Sequence, residues 1–275
     1  MVKKKQRQSG RSHVIKRVIE DYLRACPVMK LSDGDACPCG SIRRYGDCCG
    51  PKGVEYRLLW ANESGEPALI DSRTFREKAT ELLMYLDRPW VRGISSLSQG
   101  LRYLEGLYRR YDSFVALFER FVSCRRGCTA CCYYLVGTSF LEAELIKRYA
   151  VRLLSQEQLD AIRVRVREQL AYYIRENQRP RDRQKDEELL AAYFQKRLPC
   201  PFLSAENDCM VYPVRPFTCR SHSAVSDPHA CETGKGLDLL DVMGLTTSIA
   251  TTLVEVSATF FGDEKWEHIG LWLAF

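Results

Sequence analysis

The sequence predicts a mostly α-helical protein that is held together in two places by cysteine-rich metal sites. Apolar residues recur three and four positions apart through most of the 275 residues, whereas strand-like alternation is limited to short pieces. Two segments are poor in large apolar side chains and rich in Cys, of which the chain has 13. These observations favour a helical domain knit together by a cysteine-rich metal site, with a small metal-binding module near the N-terminus.

Helical patterns account for most of the chain outside the cysteine-rich segments. Two capping boxes mark the starts of amphipathic runs. A polar linker, residues 178–185, separates two of the later helices. In chain order we expect helices after Ser12, over 75–86 and 101–122, after the boxes Ser139–Glu142 and Ser155–Gln158, over 186–198 and over 237–260.

These patterns divide the chain into five segments. In order they are a basic tail with a short helix (1–30), a small cysteine-rich module (31–53), a helical connector (54–116), a cysteine-cluster domain (117–235) and a C-terminal helix that packs on the cluster domain (236–275). The module has five Gly and four Cys but few large apolar groups, so it cannot form an ordinary core. We therefore expect it to fold around a metal.

The net charge of +6 belongs to the N-terminal tail. Seven basic residues precede the first acidic residue, Glu20, and the rest of the chain carries 34 basic against 35 acidic residues. Residues 1–17 are thus either a solvated terminus or a contact for polyanions such as RNA. The tail lacks the apolar region of a secretory signal, and no stretch of about 18 residues is apolar throughout. We expect a cytoplasmic protein without a membrane span.

The number of cysteines predicts metal binding. A reducing compartment does not maintain this many thiols as disulfides, so metal coordination is the default interpretation. The sequence CPCGSIRRYGDCCG places four of them within thirteen residues. Four thiolates complete the tetrahedral shell of a structural Zn and leave no open position for catalysis. The four are Cys37, Cys39, Cys48 and Cys49.

This segment resembles the SEC-C motif, a small zinc ribbon found at the C-terminus of the SecA translocation ATPase and in many otherwise unrelated bacterial proteins. The shared features are the Pro between the first two thiols, the Gly-Ser after them, Tyr45 and the final Cys-Cys-Gly. The resemblance implies that the four thiols bind one Zn and that the module contacts a protein partner.

Eight further cysteines lie in two blocks. The first block is CRRGCTACC, and the second runs from CPFL to the Cys after HA. Eight thiolates exceed what one mononuclear site uses, so the residues predict either two four-coordinate sites or a multinuclear iron or iron–sulfur centre. Zn, Fe and an iron–sulfur cluster all remain open. The residues are Cys124, Cys128, Cys131 and Cys132, then Cys200, Cys209, Cys219 and Cys231.

The two blocks resemble the YkgJ-like cysteine-cluster family, a zinc- or iron-chelating domain named for its CxxCxxCC signature. The matching pieces are the run ending in Cys131-Cys132, CPFL from Cys200, and Tyr212-Pro-Val-Arg-Pro-Phe-Thr-Cys-Arg220. The resemblance implies metal chelation by these cysteines. The family includes flagellin lysine N-methylases and proteins labelled as iron–sulfur oxidoreductases.

Charged and imidazole side chains surround the second set of thiols. Several thiolates on one divalent metal leave a negative charge, which Arg215 and Arg220 can offset while donating N–H groups to sulfur. His222 and His229 flank the last two thiols and are either imidazole ligands or surface residues.

Two hypotheses for the function follow from these patterns. The first is a metal-binding protein that acts in metal handling or as a protein-interaction adaptor. The second is an iron or iron–sulfur enzyme, an oxidoreductase or a protein methylase, which uses the N-terminal module to recruit its substrate. No nucleotide-binding, phosphate-binding or hydrolase motif is present.

Overall fold

A computed structural model describes residues 2–61, 65–125, 127–176, 183–262 and 267–273. Most of the predicted polar linker, residues 178–182, lies outside the described residues. The fold is mostly helical, as the sequence predicts. The helices are α1 Val2–Ala25, α2 Ser72–Leu86, α3 Arg88–Arg92, α4 Leu97–Val115, α5 Phe140–Leu153, α6 Gln156–Glu176, α7 Arg183–Lys196, α8 Phe217–Ser221, α9 Pro228–Thr233, α10 Leu245–Phe261 and α11 Ile269–Trp272. The strands are β1 Tyr56–Ala61, β2 Pro67–Asp71, β3 Gly137–Thr138 and β4 Glu267–His268.

The chain divides into two compact units. The first comprises residues 1–93 and 106–122, and the second comprises residues 94–105 and 123–275. Helix α4 contributes residues to both units. Within the described residues, no helix is both long enough and apolar enough to cross a membrane.

An aromatic core holds the first unit together. Helices α1 and α2 pack against each other, and the ring of Phe75 stacks on Tyr22 with centroids 5.6 Å apart. The same ring lies 5.5 Å from that of Phe114, which in turn contacts Phe118. Phe75, Phe114 and Phe118 are almost fully buried, so the burial of one apolar face stabilises each of these segments.

A β-hairpin at the start of the predicted helical connector 54–116 corrects the sequence-based prediction. Strands β1 and β2 pair antiparallel, with Tyr56 opposite Asp71, and a bulge interrupts the register between Leu58 and Trp60. The bulge accommodates the consecutive apolar residues Leu58, Leu59 and Trp60, which break the two-residue alternation of a regular strand. Because the alternation that marks a strand is missing, the sequence pattern did not reveal the strands and this segment was predicted to be helical.

Two predicted helices have different bounds in the structure. Helix α1 starts at Val2 rather than after Ser12. The C-terminal helix α10 starts at Leu245 rather than at residue 237, because Leu239 pairs with Ala224 and residues 242–244 form a separate 3-10 turn. There the N–H of Val225 donates to the carbonyl of Asp238 at 2.9 Å, which holds the segment against residues 223–225.

The second unit is built around α5, α6 and α11, with α10 packed on α5. Both predicted capping boxes form, at Ser139–Glu142 and at Ser155–Gln158. Their helices contribute to a buried apolar core, and three thiols of the second block lie against its edge. The core residues are Val136, Ile146, Ala150, Leu159, Ile162, Val166, Phe202, Val211, Ile269 and Leu273, and the adjoining thiols are Cys200, Cys209 and Cys219.

Candidate metal centres

The four thiols of the N-terminal module (residues 31–53) converge on one point. Their sulfur atoms all lie within 4.8 Å of one another, and they form the one such set of potential ligand atoms found among the described residues. Cys39 is exposed and the other three are buried. Sulfurs this close can share one tetrahedral cation. The residues are the predicted Cys37, Cys39, Cys48 and Cys49.

Tight turns bring these thiols together. The N–H of Cys37 donates to the carbonyl of Arg43 at 3.1 Å, and Gly40, at the turn between them, has a left-handed φ of 86°. The second turn needs Gly46, whose N–H donates to the carbonyl of Asp33 at 3.1 Å. A Cβ at Gly46 would lie 2.6 Å from the Cβ of Asp33, so no larger residue fits.

Hydroxyl groups contact three of the four thiols. The hydroxyl of Ser41 lies 3.3 Å from the sulfurs of both Cys39 and Cys48. Hydrogen bonds from Ser41 lower the pKa of Cys39 to about 6. At Cys49 the hydrogen bond from the Tyr56 hydroxyl, at 3.4 Å, lowers the pKa, but burial and the three neighbouring thiols outweigh it and raise the pKa to about 11. Close thiols oppose each other's deprotonation. A bound cation removes this opposition because it neutralises the thiolate charge.

An open cleft of about 490 Å³ lies beside this centre, within the first unit. Pro38, Cys39 and Tyr56 line one part of it, and Arg120 and Glu119 line another. The guanidinium of Arg120 donates to the carbonyl of Leu69 at 3.0 Å, which fixes its position at the cleft. The metal module therefore borders a groove with polar and apolar walls.

The two later blocks of cysteines are in direct contact. The N–H of Cys200 donates to the carbonyl of Cys132 at 2.7 Å, although 67 residues separate them. The N–H of Ala224 donates to the sulfur of Cys124 at 3.4 Å, and the hydroxyl of Tyr134 donates to the carbonyl of Cys231 at 2.9 Å. The second block therefore contacts the first block or its immediate neighbour at three points, at residues 200, 224 and 231.

Residues 123–233 match the CxxCxxCC family, described as "Putative zinc- or iron-chelating domain". Residues 35–51 match the SEC-C motif. The chain thus contains one region similar to each of these two families. No curated protein and no solved structure matches it. The first match covers the two later cysteine blocks, and the second covers the four-thiol centre.

The eight thiols of the CxxCxxCC domain form two groups with the Cys131–Cys132 pair between them. Three pack against the apolar core, and burial is the largest cause of their raised pKa values. We call Cys200, Cys209 and Cys219 the core-side thiols. The other three, the loop-side thiols Cys124, Cys128 and Cys231, interact electrostatically with one another and with Cys131. These sulfurs are less tightly clustered than those of the SEC-C module, so the predicted two four-coordinate sites or multinuclear centre stay predictions.

Arg215 lies close to several of these thiols, and its charge-offsetting role stays a prediction. Its charge lowers the pKa of Cys124 and of Cys131, while larger causes raise both. Its guanidinium stacks 4.2 Å from the ring centroid of Tyr212, and its Nε is buried with no hydrogen-bond partner in the described part of the chain. That atom is a donor available to a metal-bound sulfur.

Arg220 has a structural role in addition to the one predicted for it. The side chain is 4% exposed. Its Nε donates to the carbonyl of Arg215 at 2.9 Å, and its Nη2 donates to that of Pro213. These bonds hold the loop that carries Arg215. Arg220 thus orders the thiol surroundings through the backbone, and its predicted offsetting of thiolate charge stays a prediction.

Glu142 is a buried carboxylate at this site that sequence reasoning assigned only to a helix cap. Its Oε2 accepts hydrogen bonds from the N–H and hydroxyl of Ser139, both at 2.9 Å. Its charge also contributes to raising the pKa of Cys219. Nothing in its sequence pattern distinguishes it from a capping Glu at the surface.

The two candidate histidines differ sharply in their surroundings. His229 is exposed and lies 3.4 Å from the Glu232 carboxylate, so it is a surface residue. His222 is partly buried, burial lowers its pKa, and its Nε2 is buried with no hydrogen-bond partner among the described residues. The thirteenth cysteine, Cys26, belongs to neither cysteine-rich region; it is buried and its thiol donates to the carbonyl of Tyr22 at 3.4 Å.

Proposed function

We propose that the protein binds metal at two centres and acts in metal handling or as a protein-interaction adaptor. The observation that carries the proposal is the convergence of four SEC-C sulfurs to within 4.8 Å of one another. A Zn held by Cys37, Cys39, Cys48 and Cys49 is the expected occupant, because four thiolates complete its tetrahedral shell. This centre is closed and therefore structural.

The second centre would be built from the eight thiols of the CxxCxxCC domain. Its support is the pairing of the two blocks through Cys132 and Cys200 and the position of Arg215 among the thiols. A metal there would close the 67-residue helical excursion between the blocks, replacing part of the entropy cost of ordering it with coordination. Zn and Fe both suit these ligands.

The proposed partner is a protein that contacts the SEC-C module. The cleft beside Cys39 supports this assignment, because it combines apolar walls with the fixed charge of Arg120. Residues 1–17, with seven basic side chains, would add an electrostatic contact to a polyanion. The two contacts are independent in sequence and can be tested separately.

An iron or iron–sulfur enzyme is the second candidate, of oxidoreductase or protein-methylating type. The observation that favours it is the number of thiols, since eight in one domain exceed the needs of a single mononuclear site. In this case the SEC-C module would recruit the substrate protein.

Metal analysis of the full chain, purified without oxygen, tests these proposals. We expect at least two metal ions per chain, one of them lost in a Cys48→Ser, Cys49→Ser double variant. Colourless protein containing Zn would favour the adaptor, and visible sulfur-to-iron charge-transfer bands would favour the enzyme. Slow transfer of metal to a chelator indicates a structural centre, and fast transfer indicates metal handling. A wild-type chain without metal would overturn the whole proposal.

A further inference from the structure

We propose that the CxxCxxCC domain contains a Cys3His site, in which Nε2 of His222 joins the loop-side thiols Cys124, Cys128 and Cys231 on one metal ion. This inference rests on the proposed function, because it names the ligands of one of the metal ions that the domain would hold. It commits His222 to metal binding, whereas the sequence left this residue open between an imidazole ligand and a surface residue.

The first observation is the state of the His222 ring. Its Nε2 is buried and has no hydrogen-bond partner among the described residues. A buried polar atom of this kind costs free energy unless something satisfies it. A metal ion satisfies an imidazole nitrogen directly, and imidazole is a common ligand of Zn and Fe.

The second observation is the position of His222 beside the loop-side thiols. Its carbonyl lies 3.9 Å from the sulfur of Cys124, which also accepts the N–H of Ala224 at 3.4 Å. Its ring packs against Tyr134 with centroids 5.3 Å apart, and the hydroxyl of Tyr134 donates to the carbonyl of Cys231. His222 thus contacts the surroundings of two of the three loop-side thiols.

The third observation is the arrangement of the remaining thiols. Cys132 has the largest influence on the thiol of Cys131, so these two adjacent thiols lie close together. The carbonyl of Cys132 accepts from the N–H of Cys200, which associates this pair with the core-side thiols. The loop-side group then has three thiols and lacks one ligand for a tetrahedral shell.

The test uses the full-length chain loaded with ¹¹³Cd²⁺ and labelled with ¹⁵N in its histidine rings. We expect one ¹¹³Cd resonance that is coupled to a histidine nitrogen and lies upfield of the all-thiolate resonances. His222→Gln should remove this coupling and weaken binding of one metal ion by more than about tenfold. His229→Gln is the matched control, since His229 is a neighbouring but exposed histidine, and it should leave the spectrum unchanged.

His222→Cys adds a test that does not depend on losing metal. It should retain the metal and convert the shifted resonance into an all-thiolate one. If wild-type protein holds cadmium in this domain with no nitrogen coupling, the Cys3His site is wrong and the proposed function stands. If wild-type protein holds cadmium only in the SEC-C module, both are wrong, so the two failures are distinguishable.

Discussion

The carboxylate of Glu142 accepts a hydrogen bond from the backbone N–H of Phe217 at 2.7 Å. Glu142 closes the capping box at the start of α5, and Phe217 is the first residue of α8, which carries Cys219. One buried side chain therefore joins two helix N-termini and fixes a helix that presents a thiol. A negative charge is favourable there because both helix N-termini carry unpaired N–H groups.

Replacing Glu142 by Gln should destabilise the second unit and loosen the metal at the core-side thiols. The substitution removes a charged acceptor and places an amide N–H against the N–H and hydroxyl donors of Ser139 and Phe217. We expect this to lower the free energy of unfolding by about 1–3 kcal/mol. Urea unfolding and metal content per chain measure the two effects. Glu144→Gln, on the same helix, removes only a partly exposed pair with Arg148 and should change little. Equal effects of the two substitutions would contradict the role of Glu142.

Gly46→Ala should prevent the SEC-C module from holding its metal. The added Cβ would lie 2.6 Å from the Cβ of Asp33, and both atoms belong to or adjoin the backbone, so the turn must shift. Gly34→Ala is the matched control, because its Cβ would meet only the Arg44 guanidinium, at 3.8 Å. Cobalt titration of the full-length variants reads out the four-thiolate charge-transfer band. An unchanged band in Gly46→Ala would show that the turn adapts.

Cys132→Ser should release metal from the CxxCxxCC domain and expose the segment from residue 178 to 220 to protease. If both blocks share metal, loss of one ligand removes the coordination that closes the excursion between them. Proteolysis and metal content of the full-length chain provide the measurement. Cys26→Ser, which lies in neither centre, should leave both unchanged. Protection of the second block in Cys132→Ser would refute the convergence.

Acid should destabilise the second unit through His268. This residue is 1% exposed, its Nδ1 accepts the N–H of Gly270 at 3.1 Å, and burial lowers its pKa to about 4. The unfolded imidazole binds a proton below about pH 6.5 while the folded one stays neutral. The free energy of unfolding therefore falls as the pH drops from about 6.5 to about 4.

The expected loss between pH 7.5 and pH 5.5 is roughly 1 kcal/mol. Urea unfolding of the wild type and of His268→Gln at both pH values isolates the contribution of His268 to this loss. Acid loss of metal affects the two chains equally and cancels in the comparison. The variant should be less stable at pH 7.5 and less sensitive to acid. An equal acid loss in both chains would mean that another group is responsible.

Deleting residues 1–11 should change polyanion binding and leave the melting temperature nearly unaltered. No apolar period precedes Val14, so little burial is lost. RNA binding by the intact chain should weaken with added salt, and the deletion should reduce both the affinity and the salt dependence. A large drop in melting temperature would show that this part of α1 is packed.

Sequence reasoning identifies the thiols and most helices but not the contacts that position them. Four Cys in thirteen residues are a local signal, and so are the two capping boxes. The β1–β2 hairpin was missed because a bulge disrupts its alternation, although the NESG sequence between its strands is typical of a turn. The hydrogen bond from Tyr56 to Cys49 lies outside the predicted module boundary at residue 53.

Long-range pairs account for the rest of what the sequence did not reveal. Glu142 and Phe217 are 75 residues apart, and no periodic pattern encodes their contact. The burial of the His222 Nε2 likewise depends on how several loops fold together rather than on its neighbours in sequence. Side chains whose role depends on such contacts remain ambiguous until the fold is known.

The distribution of thiols along the chain sets the order in which the ribosome could complete the two proposed centres. All four SEC-C cysteines are translated by residue 49, whereas the last cysteine of the second block follows at residue 231. At usual elongation rates this interval lasts roughly 10 to 40 s. During it the nascent chain can already hold its first metal ion, while the thiols of CRRGCTACC wait for their partners. Until their proposed partners are translated, those thiols would lack the ligands that complete a metal shell.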